Sequence, residues 1–185
     1  MKTKLLIAVI ALQAAWVVST AARQEFLLRR GTVVLLETVP VDPRDLLRGD
    51  YVILSYKISR LPSALFAEGL STKLALGTPV FVRLEKRGPF HEAVAASLSP
   101  LEPEPEHPVL RGTVSPSPWL GVLGGPVDSV QVDYGLERYY VREGTGRPSG
   151  KITVEAAVSA SDSSIIREVY IDGRPYGEVM RGQGR

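Results

Sequence analysis

The residues best equipped for chemistry are acidic and aromatic. Asp42, Asp45 and Asp50 lie close together, and Glu137 and Glu143 flank the pair Tyr139 and Tyr140. Two carboxylates can do acid and base work on a glycosidic bond when one is desolvated, so a hydrolase using Asp50 with a glutamate is one reading. A simpler assignment makes the aspartates caps and turn residues and the glutamates a solvated face. The chain has no cysteine and two histidines, His91 and His107, both expected at the surface. Thiol nucleophiles and thiolate metal sites are therefore excluded, and neither a metal nor a cofactor is expected. The glycine-rich piece Glu143, Gly144, Thr145, Gly146 and Arg147 lacks the strand-to-helix setting of a nucleotide loop. On these grounds the chain is expected not to be an enzyme.

Around Asp50 the sequence predicts how it is held. Asp42 can cap a short helical turn, Pro43 suits its first position, Asp45 stands where a capping-box acid reaches back, and Gly49 ends it. Residues 51–58 then alternate, with Val52, Leu54, Tyr56 and Ile58 on one face and Tyr51, Ile53, Ser55 and Lys57 on the other. The first set is assigned to the core. Strands are also predicted at 32–39, 79–86, 92–98, 109–114, 130–134, 151–160 and 165–171. In 151–160, Ile152, Val154, Ala156, Val158 and Ala160 face inward. Arg167 breaks the next alternation and marks a bulge or an edge. Asp172 and Gly173 form a hairpin turn toward Pro175, Tyr176 and Val179. Residues 99–108, with four prolines and three glutamates, read as an extended surface loop. About eight strands with short turns give an all-β fold, a single antiparallel barrel or sandwich, and 17 Gly and 14 Pro fit frequent turns.

The N-terminus is different. Residues 5–22 are apolar apart from Gln13 and a weak tail of small residues, with Lys2 and Lys4 before them and Arg23 after. That is just enough to cross a hydrocarbon core of about 30 Å, with Trp16 suited to the interface. The small residues Ser19, Thr20, Ala21 and Ala22 also fit a signal cleavage site. Retention is the favoured reading, because 23–30 continue as helix until Gly31. The expected organisation is an anchor or uncleaved signal helix at 1–30, a β domain at 31–179 and a tail at 180–185. The usual behaviour of a first short helix puts the domain on the extracytoplasmic side, although Arg23, Arg29 and Arg30 compete with Lys2 and Lys4 for the cytoplasm. The first thirty residues carry +4 and the remainder −2, so the body offers no basic face for nucleic acid.

The run Gly49, Asp50, Tyr51, Val52, Ile53, Leu54, Ser55 and Tyr56 matches letter for letter the signature of the bacterial GDYXXLXY proteins. The approach at 40–46, the stretch 134–144 and the closing Tyr170, Ile171, Asp172 and Gly173 resemble that family as well, so the likeness covers nearly the whole chain. Residues 115–126 do not resemble it. The resemblance implies a membrane-associated protein of unknown function and carries over no catalytic residue. Residues 43–57 also look distantly like the strand entry of type I signal peptidases, but Val41 stands where their serine would be and has no nucleophilic atom.

Three functions follow as expectations. The first is a non-catalytic module binding an integral membrane protein or envelope component through Gly49, Asp50, Tyr51 and neighbouring aromatic residues, with Leu54 and Tyr56 as the motif's core side. The second is a small-molecule or glycan site in the barrel mouth lined by Tyr139, Tyr140 and Glu143. The third is the hydrolase above, with Glu137 or Glu143 as the second acid.

Overall fold

The computed structural model describes residues 2–39, 51–67, 74–104, 106–116, 129–141, 150–159 and 163–183. Helix α1 (Lys2–Arg30) leads into β1 (Thr32–Glu37). The strands that follow are β2 (Tyr51–Ile53), β3 (Arg60–Pro62), β4 (Pro79–Arg87), β5 (Phe90–Ser97), β6 (Val109–Val114), β7 (Ser129–Asp133), β8 (Arg138–Tyr140), β9 (Ile152–Val158), β10 (Ser164–Ile171) and β11 (Arg174–Pro175). Helix α2 (Tyr176–Gln183) follows them. All strand ladders are antiparallel and run β1-β9-β10-β11, β2-β8 and β3-β7-β6-β4-β5, curling into a nearly closed barrel.

Period-two burial builds the interior. Val34 and Leu36 of β1, Val80, Val82 and Leu84 of β4, Val130 and Val132 of β7, and Val154, Ala156 and Val158 of β9 are all buried in one cluster. Ala157 points the opposite way and is buried too, because the end of α1 covers it. A side chain at Gly31 would come within 3.1 Å of the Ala157 methyl group and 2.6 Å of the Leu27 carbonyl. Gly31 thus permits the close approach of helix to sheet. Arg167 is the unpaired residue of a bulge between Ile166 and Glu168, and it pairs with Glu155 at 3.1 Å. Asp172 and Gly173 have φ of 49° and 78°, the two left-handed positions of a type I′ turn.

The chain returns from that turn as β11 and then α2, where only a continuation of the hairpin was expected. Tyr176 and Met180, four apart on one helical face, reach the core. Residues 101–103 carry no regular structure, as the proline-rich composition implies, but Glu104 and His107 form an isolated bridge and Pro108 is buried, its carbonyl accepting the Leu84 N–H at 2.9 Å, so the end of the stretch is not an extended surface loop.

Between β1 and β5 there is no ladder, and side chains close the gap. The Leu35 N–H donates to His91 Nδ1 at 3.1 Å. Lys57 reaches Glu37 at 3.3 Å and Glu92 at 3.8 Å. His91 is therefore a half-buried seam residue, not the surface residue expected from sequence. Since Nδ1 accepts a hydrogen bond, the ring is neutral with its proton on Nε2. Burial, with Lys86 adding to it, lowers the His91 pKa.

The apolar residues of α1 before its last turn lie uncovered by the domain, Leu12, Trp16 and Val18 among them. The helix is long and apolar enough to cross a membrane, which suits an anchor or a signal segment.

Candidate functional site

The motif strand divides into two faces with different fates. Val52, Leu54 and Tyr56 are buried, while Tyr51, Ile53 and Ser55 stay half-exposed, as the alternation predicts. The strand itself is shorter than 51–58. It pairs with β8 only as far as Ile53, opposite Arg138; the Leu54 N–H then donates to the Glu137 carbonyl at 2.8 Å. At Ser55 the chain changes neighbour, accepting from the Val39 N–H at 2.8 Å, and Tyr56 bridges Thr38 before a 3₁₀ turn at Lys57–Ser59. The motif joins β8 to the end of β1, and that exchange of partners ends regular pairing.

Tyr56 is the buried pin of this junction. With 1% of its surface exposed, it donates its hydroxyl to the Leu136 carbonyl at 2.5 Å. Tyr134, also buried, donates to the Ile58 carbonyl at 2.7 Å. The two phenols cross between the same two segments, 56–58 and 134–136. Burial, and secondarily the nearby Glu137 charge, pushes both phenols far above the ordinary tyrosine range, so they stay protonated donors.

Glu137 belongs to the turn between β7 and β8. Its Oε1 accepts the Tyr134 N–H at 2.6 Å, and Gly135 takes φ 77° to close the turn. Burial raises the Glu137 pKa, against the turn amides, which lower it, and with Asp133 adding to the rise. The carboxylate was expected on a solvated face. Its half-buried position follows from the turn, whose amides it satisfies.

Outside this junction lies a cavity of about 360 Å³ whose walls include Tyr51, Ile53, Ser55, Ser59, Gln131 and Asp133, with Glu137 and Arg138 beside them. Gln131 and Asp133 alternate with core residues along β7, so the cavity opens on the outer face of the sheet. At its rim, Arg138 stands over the Tyr51 ring at 5.6 Å, and the Tyr51 and Tyr140 centroids are 6.0 Å apart at 57°. Tyr140 is 72% exposed. The Ser59 hydroxyl is buried and has no hydrogen-bond partner among the described residues.

Of the residues singled out from sequence, Tyr51, Tyr140 and Glu137 come together here, and Leu54 and Tyr56 lie beneath them. Tyr139, adjacent on β8, turns the other way and packs edge-on against Tyr176 at 5.4 Å. Tyr139 and Tyr140 therefore do not line one surface. Gly49, Asp50 and Glu143 lie outside the described residues. Sequence reasoning missed Arg138, Gln131, Asp133 and Ser59. The first three are outward positions of β7 and β8, whose neighbours across the groove only the fold supplies. No group of histidines and acids able to hold a metal occurs among the described residues.

The model of the family described as GDYXXLXY protein matches residues 13–174, most of the chain and all of the junction just described. The chain belongs to the GDYXXLXY family. Comparison with curated proteins gave no match, and comparison with solved structures gave none. For this GDYXXLXY protein the signature letters acquire distinct physical roles: the central Leu54 and final Tyr56 fasten the barrel, and Tyr51 faces the groove.

Proposed function

We propose that this GDYXXLXY protein is a non-catalytic domain held on the extracytoplasmic side of a membrane by α1, and that its motif groove binds an integral membrane protein or envelope component beside it. The observation carrying this reading is the division of labour within the motif. One face is consumed by the core, while Tyr51 faces outward with Arg138 and Tyr140 as a cationic and aromatic rim. Tyrosine and arginine are the residues most often dominant in protein interfaces, because each offers a large rigid surface with a polar end. The uncovered apolar α1 supports the anchor. The enzymatic reading has less support, since the described Glu137 is engaged by turn amides.

A second reading places a small molecule or glycan in the same groove. It is favoured by the 360 Å³ volume, within the range of roughly 300–1,000 Å³ common for ligand sites, and by the Ser59 hydroxyl in its wall, which has no partner among the described residues.

The test is co-purification from membranes with Tyr51→Ala and Tyr140→Ala combined. Loss of a specific partner with the melting temperature unchanged supports the proposal. An unchanged set of co-purifying proteins contradicts it.

A further inference from the structure

A cavity of about 1220 Å³ lies between the last turns of α1 and strands β9 and β10. That volume exceeds the usual range for small-molecule pockets. On the helix its wall includes Arg23, Phe26 and Arg30, which at spacings of three, four and seven share one face. Across from them stand Ser163, Ser164 and Ile165. The groove combines two cations and several hydroxyls, Ser163 and Ser164 among them, with apolar side chains such as Phe26 and Ile165.

The charges on this part of α1 are sorted by face. Arg29 is neutralised by Glu25 at 2.6 Å, away from the groove. Arg23 and Arg30 have no carboxylate partner among the described residues. Arg30 lies over the Phe26 ring at 5.9 Å, which holds the guanidinium along the groove wall. Gly31, lacking a side chain, lets the end of the helix lie close to Ala157 of β9, which brings the two walls of the groove together.

Depth identifies the occupant. If residues 5–22 fill the hydrocarbon core, Arg23 stands at its boundary, and Arg30, seven residues on at 1.5 Å each, stands about 10 Å farther out. That span is the headgroup layer, where anionic phosphates lie. We infer that this groove binds an anionic phospholipid of the adjoining leaflet, its phosphate between Arg23, Arg30 and the hairpin serines and its glycerol end against Phe26 and Ile165. The lipid would fasten the angle between barrel and bilayer. This inference rests on α1 being retained as the anchor.

Native mass spectrometry of the full-length protein, purified from membranes and offered equal phosphatidylglycerol and phosphatidylcholine, tests both levels. Wild-type protein should retain phosphatidylglycerol on the order of tenfold over phosphatidylcholine. Arg23→Gln with Arg30→Gln should bring the ratio to parity, and Arg29→Gln, on the other face, should leave it high. Phosphatidylglycerol that stays bound against millimolar inorganic phosphate supports a lipid occupant. Parity in the wild type, a preference surviving in the double variant, or displacement by free phosphate overturns the lipid site. The same spectra report chain length. A chain lacking residues up to Ala22 overturns the anchor, whereas a full-length chain at parity overturns the lipid site alone.

Discussion

Replacing Tyr56 with Phe removes one oxygen atom from the best-enclosed point of the motif, and the cost follows from geometry. The hydroxyl has a 2.5 Å bond to the Leu136 carbonyl, and neither group has water at hand to substitute. A net hydrogen bond contributes about 0.5–1.5 kcal/mol, and stranding a buried acceptor adds to that, so Tyr56→Phe should destabilise by about 1–2 kcal/mol. For a domain of this size that lowers the melting temperature by roughly 2–8 °C. Tyr134→Phe should behave alike, through the Ile58 carbonyl. Because both phenols tie the same two segments, either loss slackens the other bond, and the double variant should depart from additivity by about 0.5–1 kcal/mol. Tyr51→Phe is the control, since its ring contacts survive and its hydroxyl has no partner among the described residues. Thermal unfolding of the full-length protein in detergent, followed by near-ultraviolet circular dichroism, measures all four. Tyr56→Phe and Tyr134→Phe both matching the Tyr51→Phe control would refute the crossed-phenol account.

Other consequences follow from the same packing. Gly112→Ala should cost more than about 1 kcal/mol in the same melting experiment, because the added methyl meets the Val132 side chain, the Asp133 carbonyl at 2.8 Å and the Tyr134 ring at 2.9 Å. Glu137→Ala should destabilise by about 1–2 kcal/mol by leaving the Tyr134 N–H without its acceptor, while Glu137→Gln, which keeps an oxygen there, should stay within about 0.5 kcal/mol of wild type. His91 predicts a pH dependence. Its folded pKa lies below 6.5, so the unfolded chain takes the proton first; the contribution is whole above about pH 6.5 and is lost as pH falls through the lowered folded value. Glu137, with its raised pKa, acts with opposite sign at acidic pH, and Glu37, lowered first by Lys151, loses its contribution only below 4.5. The difference in melting temperature between wild type and His91→Gln isolates the histidine: it should shrink from pH 7.5 to pH 5.5, and a constant difference counts against the seam bond.

Much of the barrel is legible as period two. Val52, Leu54 and Tyr56, and likewise Val154, Ala156 and Val158, announce an inward face by spacing alone, because a strand turns every second residue the same way. Arg167 and the Asp172-Gly173 turn are legible for equally local reasons, a broken alternation and a pair suited to positive φ. What depends on a distant partner is not. Ala157 is buried because α1 ends against it, and His91 is half-buried because β1 and β5 meet without a ladder. Strand β8 is three residues long, with Arg138, Tyr139 and Tyr140 giving little apolar pattern, and becomes a strand through pairing with the motif. The motif's core side was therefore readable in advance, whereas the groove was not: its far wall comes from β7, more than seventy residues along the chain.

The central claim is that the motif's outward face is a binding surface. Site-specific photo-crosslinking in intact cells tests it most directly, with a benzophenone side chain placed at Tyr51 and, separately, at Val33, an exposed β1 position away from the groove. The account predicts a discrete adduct from position 51 that position 33 does not give. No adduct at 51, or the same adducts from both positions, would contradict it.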